Sequence, residues 1–267
     1  ENRIVRQLSH CALEYSCFTA QNIFYERWEG GIPVSPVCNA RCLGCISLQP
    51  AECCPSPQER INFSPSVEEI VELGIHHLSS EREPIISFGQ GCEGEPSLQA
   101  ETISEAIITI RKETNNGTIN MNTNGGNTSG IENICQAGID SLRVSLNSAV
   151  SDTYHSYYQP KNYTLQNVKK SLKVAEKYGV YTYLNLLFFP GINDCENEVE
   201  ALIDLVNTTG VKGIQIRNLN IDPDIYIKRL SEIKPKGEPL GVPAFLDILT
   251  QELPHVAVGN YTKPIRK

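Results

Sequence analysis

Segments of β-type and α-type sequence alternate six times between residues 32 and 255, and this alternation constrains the fold more than any other feature of the 267-residue chain. The β-type runs are 32–37, 84–89, 118–122, 141–146, 180–189 and 213–219, short apolar stretches that end at turn-forming residues. A helical pattern follows each. Residues 66–79 set Val67, Ile70, Val71 and Ile75 among Glu68, Glu69 and Glu72, with Ser64-Pro65 ahead of them as a start signal. Further helices are expected over 97–113, 131–137, 165–178, 196–206 and 245–253, the third of these closed by Gly179.

Such alternation implies parallel strands joined by right-handed crossovers, hence an α/β chain. Six units suit a partial (β/α)6 TIM-like barrel, because eight are needed to close the usual one. Folds of this kind carry their working residues on loops at the C-terminal ends of the strands. The expected organisation is an N-terminal extension or lid over 1–31, a core barrel over 32–255 and a C-terminal tail over 256–267. Residues 221–241, with Asp222-Pro223-Asp224 and Lys234-Pro235-Lys236, read as a long loop.

Composition narrows the function classes. Lys+Arg is 23 against Asp+Glu 31, a net charge of -8, which disfavours nucleic acid as a partner, since phosphate binding draws on basic surfaces. No apolar run reaches the roughly 18–20 residues of a membrane span and no signal peptide opens the chain, so no membrane partner and a cytoplasmic location are expected. The chain begins with Glu1 and its one methionine is Met121, as expected of a processed or trimmed piece.

Ten cysteines are too sparse for a disulfide scaffold and too clustered for chance. Cys38, Cys42 and Cys45 form a CxxxCxxC directly after the first β-type run. Three thiolates on one tight loop can take three corners of a [4Fe-4S] cluster and leave the fourth iron open. A structural zinc site would recruit four ligands, normally from two pairs, and no second pair at that spacing follows.

The triad at this place in the β/α order resembles the signature of the radical SAM superfamily, and the resemblance extends over about residues 32–253. It implies an enzyme in which a [4Fe-4S] cluster on Cys38, Cys42 and Cys45 chelates S-adenosylmethionine (SAM) at its open iron. Reductive cleavage of SAM then gives a 5′-deoxyadenosyl radical that takes hydrogen from a substrate. The turn Gly94-Glu95-Pro96 is similar to the family's GGEP turn, which holds the methionine amino group, although Glu93 stands at its first position. Thr123-Asn124-Gly125 is similar to a TNG turn. Ser145 and Asn147 resemble the residues that meet ribose and carboxylate. On the adenosine side the resemblance implies Leu187, Asn218 and Leu219, next to Asn185, Arg217 and a PGxND-type loop at Pro190–Asp194. Leu43 replaces a commonly aromatic neighbour of the second cysteine, and Gly44 leaves the backbone free to reach the purine. The implied partners are an electron donor such as flavodoxin or ferredoxin and an unidentified substrate, a protein, peptide or small molecule.

The remaining residues invite plainer readings. Cys11, Cys17, Cys53, Cys54 and Cys92 read as free thiols, an auxiliary cluster being the alternative. Cys135 reads as core, Cys195 as a small helix-entry residue, and His76-His77 as structural or solvent-facing. Asp222 and Asp224 read as ordinary loop acids. The aromatic run Tyr154, His155, Tyr157 and Tyr158 is expected in a loop over the barrel mouth, with substrate contact as one role. The rival to the enzyme is a non-catalytic zinc or iron–sulfur binding module using the triad with Cys53 or Cys54.

Overall fold

The computed structural model describes residues 2–49, 55–80, 83–231, 233, 237–259 and 262–266. Two helices come first, α1 (Arg3–Leu13) and α2 (Phe18–Phe24), followed by strand β1 (Glu29–Gly31). Then come α3 (Val67–Leu78), β2 (Ile85–Phe88), a 3-10 turn over Pro96–Gln99, α4 (Ala100–Glu113), β3 (Thr118–Thr123), α5 (Thr128–Gln136) and β4 (Ser141–Leu146). Two helices, α6 (Ser151–Tyr158) and α7 (Leu165–Lys177), lead to β5 (Tyr181–Leu187). After α8 (Glu196–Thr209) and β6 (Gly213–Arg217), α9 (Pro223–Leu230) and α10 (Val242–Glu252) lead to β7 (Ala257–Gly259). The seven strands pair in sequence order, every neighbour parallel, in an open sheet rather than a closed barrel.

Alternation along the strands separates two environments. Leu184 and Leu186 of β5 pack outward into one apolar cluster with Leu172 of α7 and Val199 and Leu202 of α8. A second cluster joins Ile86 and Phe88 of β2 to Ile70 of α3 and Ile103, Ile107 and Ile110 of α4. The inward positions are polar. Arg143 of β4 donates to Glu29 of β1 and to Ser87 of β2, and Ser141 and Asn120 of β3 are hydrogen-bonded at 2.8 Å. Burial alone would push Glu29 up, but Arg143 and the hydroxyls of Ser87 and Thr262 leave it below the usual carboxylate range. This buried ion pair ties the first strand to the fourth.

The first strand lies three residues upstream of the run expected at 32–37. Ile32 still donates to Ser87 O at 2.9 Å, but Pro33 and Pro36 have no N–H to continue a ladder. Val34 N and Ser35 N turn instead to the Glu93 carboxylate, at 2.9 and 3.1 Å. The first 31 residues also join the core. Ile4, Leu8 and Cys11 of α1 and Ala20 and Ile23 of α2 are buried in the same cluster as β2, and Arg3 pairs with Glu69 of α3.

Residues 221–241 contain α9, capped by Asp222, whose carboxylate accepts from Asp224 N at 2.9 Å, with Pro223 in the first turn. Residues 257–259 form β7, and residues 265–266 meet Thr118 and Asp140 at the starts of β3 and β4. There Arg266 pairs with Asp140, and Ile265 N donates to Thr118 Oγ1 at 2.8 Å. Lys234, Pro235 and Lys236 lie outside the described residues.

Candidate active site

The strand ends converge on a cavity of about 420 Å³, lined on one side by Cys38, Cys42, Gly44 and Cys45. The loop that carries these cysteines has no helix or strand of its own, so its polar groups must find partners elsewhere. They find them on several elements. Arg41 N and Leu43 N donate to the carbonyls of Tyr158 and Tyr157, at the end of α6, both at 3.0 Å. Lys161 N donates to Asn39 O at 2.7 Å, and Asn124 Nδ2 donates to Asn39 Oδ1 at 2.7 Å. Asn220 Nδ2 donates to Gly44 O at 2.8 Å.

Gly44 is closely packed here. A Cβ there would stand 2.5 Å from Asn220 Oδ1 and 2.8 Å from the Tyr157 hydroxyl. Gly44 nonetheless lines the cavity, with its carbonyl accepting from Asn220.

The turn after β2 is bound to the same loop. Gly94 N donates to Ser35 O at 2.7 Å and Glu95 N to Val37 O at 2.8 Å, just before Cys38. Glu95 faces the next turn. Its carboxylate accepts from Thr123 Oγ1 at 2.5 Å, Asn124 N at 2.7 Å and Ser97 N at 3.1 Å. Burial raises Glu95 against these donors. Glu93, which stands where the GGEP pattern has glycine, is a clamp. Its two oxygens accept from Gly89 N, Gln90 N, Val34 N and Ser35 N, joining the exit of β2 to the segment that leads into the cysteines. Burial pushes Glu93 up to about 8, although all four backbone donors pull the other way.

The opposite wall comes from β4, β5 and β6. Ser145, Asn185, Leu187, Arg217 and Asn218 line it, with Asn122 and Thr123 of β3 between the walls. Register explains the grouping, since Ser145 lies beside Asn185 and Asn185 beside Gln215, two residues before Arg217. Gly94, Glu95, Thr123, Asn124, Ser145, Leu187 and Asn218 thus share one cavity with the triad. Pro96, Asn147 and Leu219 do not line it. Pro96 is buried at the head of the 3-10 turn, Asn147 is fully buried with Nδ2 donating to Thr153 O at 3.0 Å, and Leu219 packs against the outer apolar cluster.

Several wall residues gave no sign in the sequence. Arg60 donates to Ser47 Oγ at 3.1 Å and to Cys45 Sγ at 3.5 Å from a segment without periodicity. The aromatic run, expected in a loop, forms α6, and Tyr154, Tyr157 and Tyr158 are buried. Tyr157 and Tyr158 reach the cavity wall. His77 is buried against Trp28 O at 2.9 Å, and Cys135 and Cys195 are buried. Cys53 and Cys54 lie outside the described residues.

The donor set suits a polynuclear cluster. Burial, then the nearby charge of Glu95, pushes the Cys38 thiol up to about 11, and burial raises Cys42 well above its usual range. Such thiols become thiolates when a cation binds them. Cys38, Cys42 and Cys45 line one cavity, and three thiolates are the ligand count of a cluster that leaves one iron open.

A family model for the radical SAM superfamily matches residues 32–206. The chain belongs to that superfamily. Enzymes of that family use a [4Fe-4S] cluster and SAM. Several solved structures share the fold. A radical SAM methyltransferase from Sphaerobacter thermophilus has 15% identity and a TM-score of 0.58, with 86% of this chain and 64% of that one covered. SuiB of Streptococcus suis, solved bound to S-adenosylmethionine, has 12% identity and a TM-score of 0.59, with 91% and 54% covered. A structure of TYW1 with a lysine-pyruvate adduct bound has 17% identity and a TM-score of 0.51, with 85% and 80% covered. This radical SAM chain therefore spans under two thirds of the length of the first two. A search of curated proteins finds no match.

Proposed function

We propose that Cys38, Cys42 and Cys45 hold the [4Fe-4S] cluster and that SAM lies in the adjoining cavity. The observation that carries this reading is that the three cysteines share one cavity with Gly94, Glu95, Thr123, Asn124, Ser145, Leu187 and Asn218. When bound, the cluster and SAM supply one-electron chemistry, a reductive C–S cleavage that yields a hydrogen-abstracting radical.

The chain's own residues position and enclose. The Gly94–Glu95 backbone, fixed to Ser35 and Val37, presents the methionine end of SAM to the cluster side, and Pro96 sets the direction of the following turn. Glu95 holds Thr123 and Asn124 and so orients the neighbouring turn. Ser145 faces ribose and carboxylate, with Asn147 as a buried support behind it. Leu187 and Asn218 line the adenosine side, and Leu219 packs the strand exit from outside. Gly44 serves by letting Asn220 and Tyr157 approach the cysteine loop.

Radical SAM enzymes need a reductant, and flavodoxin or ferredoxin is the donor class read for this one. A peptide or protein is the substrate class to screen first. SuiB has been solved bound to the precursor peptide SuiA, and the net charge of -8 disfavours nucleic acid. Among the described residues no helix is long and apolar enough to cross a membrane, which supports a cytoplasmic site of action.

The test is anaerobic reconstitution with iron and sulfide, followed by EPR of the reduced protein with and without SAM. A [4Fe-4S]+ signal that shifts when SAM is added is expected, and so is 5′-deoxyadenosine on adding dithionite. Cys42→Ala should keep the circular dichroism of the parent and lose both. A colourless parent that retains zinc overturns the reading.

A further inference from the structure

Arg60 has no part in the reading above, although its side chain reaches a cysteine sulfur of the triad. Arg60 Nη2 donates to Cys45 Sγ at 3.5 Å and Arg60 Nε to Ser47 Oγ at 3.1 Å, and all three residues line the one cavity.

The segment that carries Arg60 is anchored on either side of it. Ile61, next in sequence, is 3% exposed in the apolar cluster that contains Ile86 and Phe88, and its N–H donates to Cys92 O at 2.8 Å. Two residues before Arg60, Gln58 lies against Gly91, where an added Cβ would stand 2.3 Å from Gln58 Oε1. The Arg60 side chain therefore starts from a fixed point beside the turn after β2.

We propose that Arg60 sets the reduction potential of the cluster through Cys45, raising it by a charge-assisted hydrogen bond to that ligand sulfur. The proposal rests on the proposed function, which makes Cys45 a cluster ligand.

Ser47 decides which side chain donates to the sulfur. Its hydroxyl has a single hydrogen, and this goes to Glu93 O at 2.9 Å, which leaves its lone pairs to accept from Arg60 Nε. Ser47 Oγ also lies 3.7 Å from Cys45 Sγ, but with its hydrogen committed it has none to offer a thiolate. Arg60 is the donor of the two. Held at Nε by Ser47 and at Nη2 by Cys45, the guanidinium has its plane fixed, which the point charge of a lysine does not reproduce.

Arg60 brings a charge as well as a donor. Among the described residues no carboxylate is ion-paired with it. Reduction takes one electron from a donor such as flavodoxin, ferredoxin or dithionite, which is oxidised by that electron. No bond breaks and no proton moves at Arg60. The added negative charge falls in part on Cys45 Sγ, so the hydrogen bond to that sulfur strengthens on reduction. Hydrogen bonds to the sulfurs and nearby charge are the levers by which a protein moves such a potential. An interaction stronger in the reduced state favours that state, and Arg60 thereby eases reduction by the electron donor.

The test is an EPR-monitored redox titration of the reconstituted protein without SAM. It compares the parent with Arg60→Met, which keeps an apolar stem and removes the charge and the donors. At a fixed potential the ratio of reduced to oxidised cluster should fall about tenfold, a midpoint about 59 mV more negative. Arg60→Lys, which retains the charge, should fall between the two. Ser47→Ala removes the acceptor at Nε and should lower the ratio by less, in the same direction. If Arg60→Met loads no iron, Arg60→Lys and Ser47→Ala decide. Midpoints equal to the parent's overturn the proposal. Equal midpoints with weaker SAM binding overturn it too and make Arg60 a SAM contact. A parent that takes up no cluster refutes the cysteine assignment and the proposal with it. A parent whose [4Fe-4S]+ signal forms and shifts with SAM keeps that assignment whatever the Arg60 variants show.

Discussion

Gly94→Ala tests whether the turn after β2 and the approach to Cys38 are packed as closely as the structure shows. An added Cβ would lie 2.0 Å from Val37 O, 2.5 Å from its carbonyl carbon and 3.1 Å from its nitrogen. All three are backbone atoms, so no side chain can swing aside. A carbon–oxygen contact needs about 3.3 Å, so the two segments must part by roughly 1.3 Å. That opening stretches the bonds from Gly94 N to Ser35 O and from Glu95 N to Val37 O, now 2.7 and 2.8 Å, beyond hydrogen-bond range. Two lost bonds with buried groups left unpaired cost about 2–5 kcal/mol in total. Urea unfolding of the cluster-free chain reads this as a lower midpoint at unchanged slope. Gly259→Ala is the control, because nothing lies within 4 Å of a Cβ there, and it should stay within about 0.5 kcal/mol of the parent. Iron retained after reconstitution should also fall in Gly94→Ala, since the displaced segment leads into Cys38. A Gly94→Ala protein as stable as the Gly259→Ala control refutes the reasoning.

Two further substitutions probe the buried charges. Arg143→Ala leaves the Glu29 carboxylate without its partner inside the sheet and should cost about 3–5 kcal/mol in denaturant unfolding, much of it recovered by the pair Glu29→Gln with Arg143→Met. Glu93 sits at about 8 when folded against an ordinary value of 4.5, so the native chain keeps a proton that the unfolded chain releases. Its contribution is therefore greatest below pH 4.5 and is lost as pH rises towards 8, by at most about 1.4 kcal/mol per pH unit. Stability measured across that window should fall with pH in the parent relative to Glu93→Gln, and a constant difference between them contradicts the assignment.

The β/α order and the cysteine spacing were legible because each leaves a local mark. Strands of apolar residues recur, and Ser66 with Glu69 forms a reciprocal capping box at the head of α3. What was hidden depends on partners distant in the chain. Residues 32–37 look like a strand in isolation, yet Pro33 and Pro36 and the Glu93 carboxylate draw them off the sheet. Glu93 itself reads as a departure from a glycine pattern until its four donors are seen. The tyrosines of α6 lack an apolar period, so tertiary burial decides their helix where propensity is silent. The Asp222-Pro223 signal of α9 was present and outweighed by the surrounding Pro, Gly and charged residues.

The cysteine loop shows why the site depends on the whole barrel. Asn39, Arg41, Leu43 and Gly44 are held by Lys161, Tyr158 and Tyr157 at the end of α6 and by Asn220 at the exit of β6. Ser47 Oγ donates to Glu93 O at 2.9 Å, which adds the exit of β2. A loop satisfied in this way is held by partners from the protein itself, so on the proposed function its course does not depend on the cluster. Ordering entropy is then met by folding of the barrel and not by metal binding, unlike small metal domains in which binding supplies the folding energy. The arrangement carries its own electrostatic cost, since the enclosed Cys38 and Cys42 thiols are driven upward and hold their protons. Cluster assembly on such a loop must release those protons, so its driving force grows as pH rises, while the backbone that receives the cluster need not move.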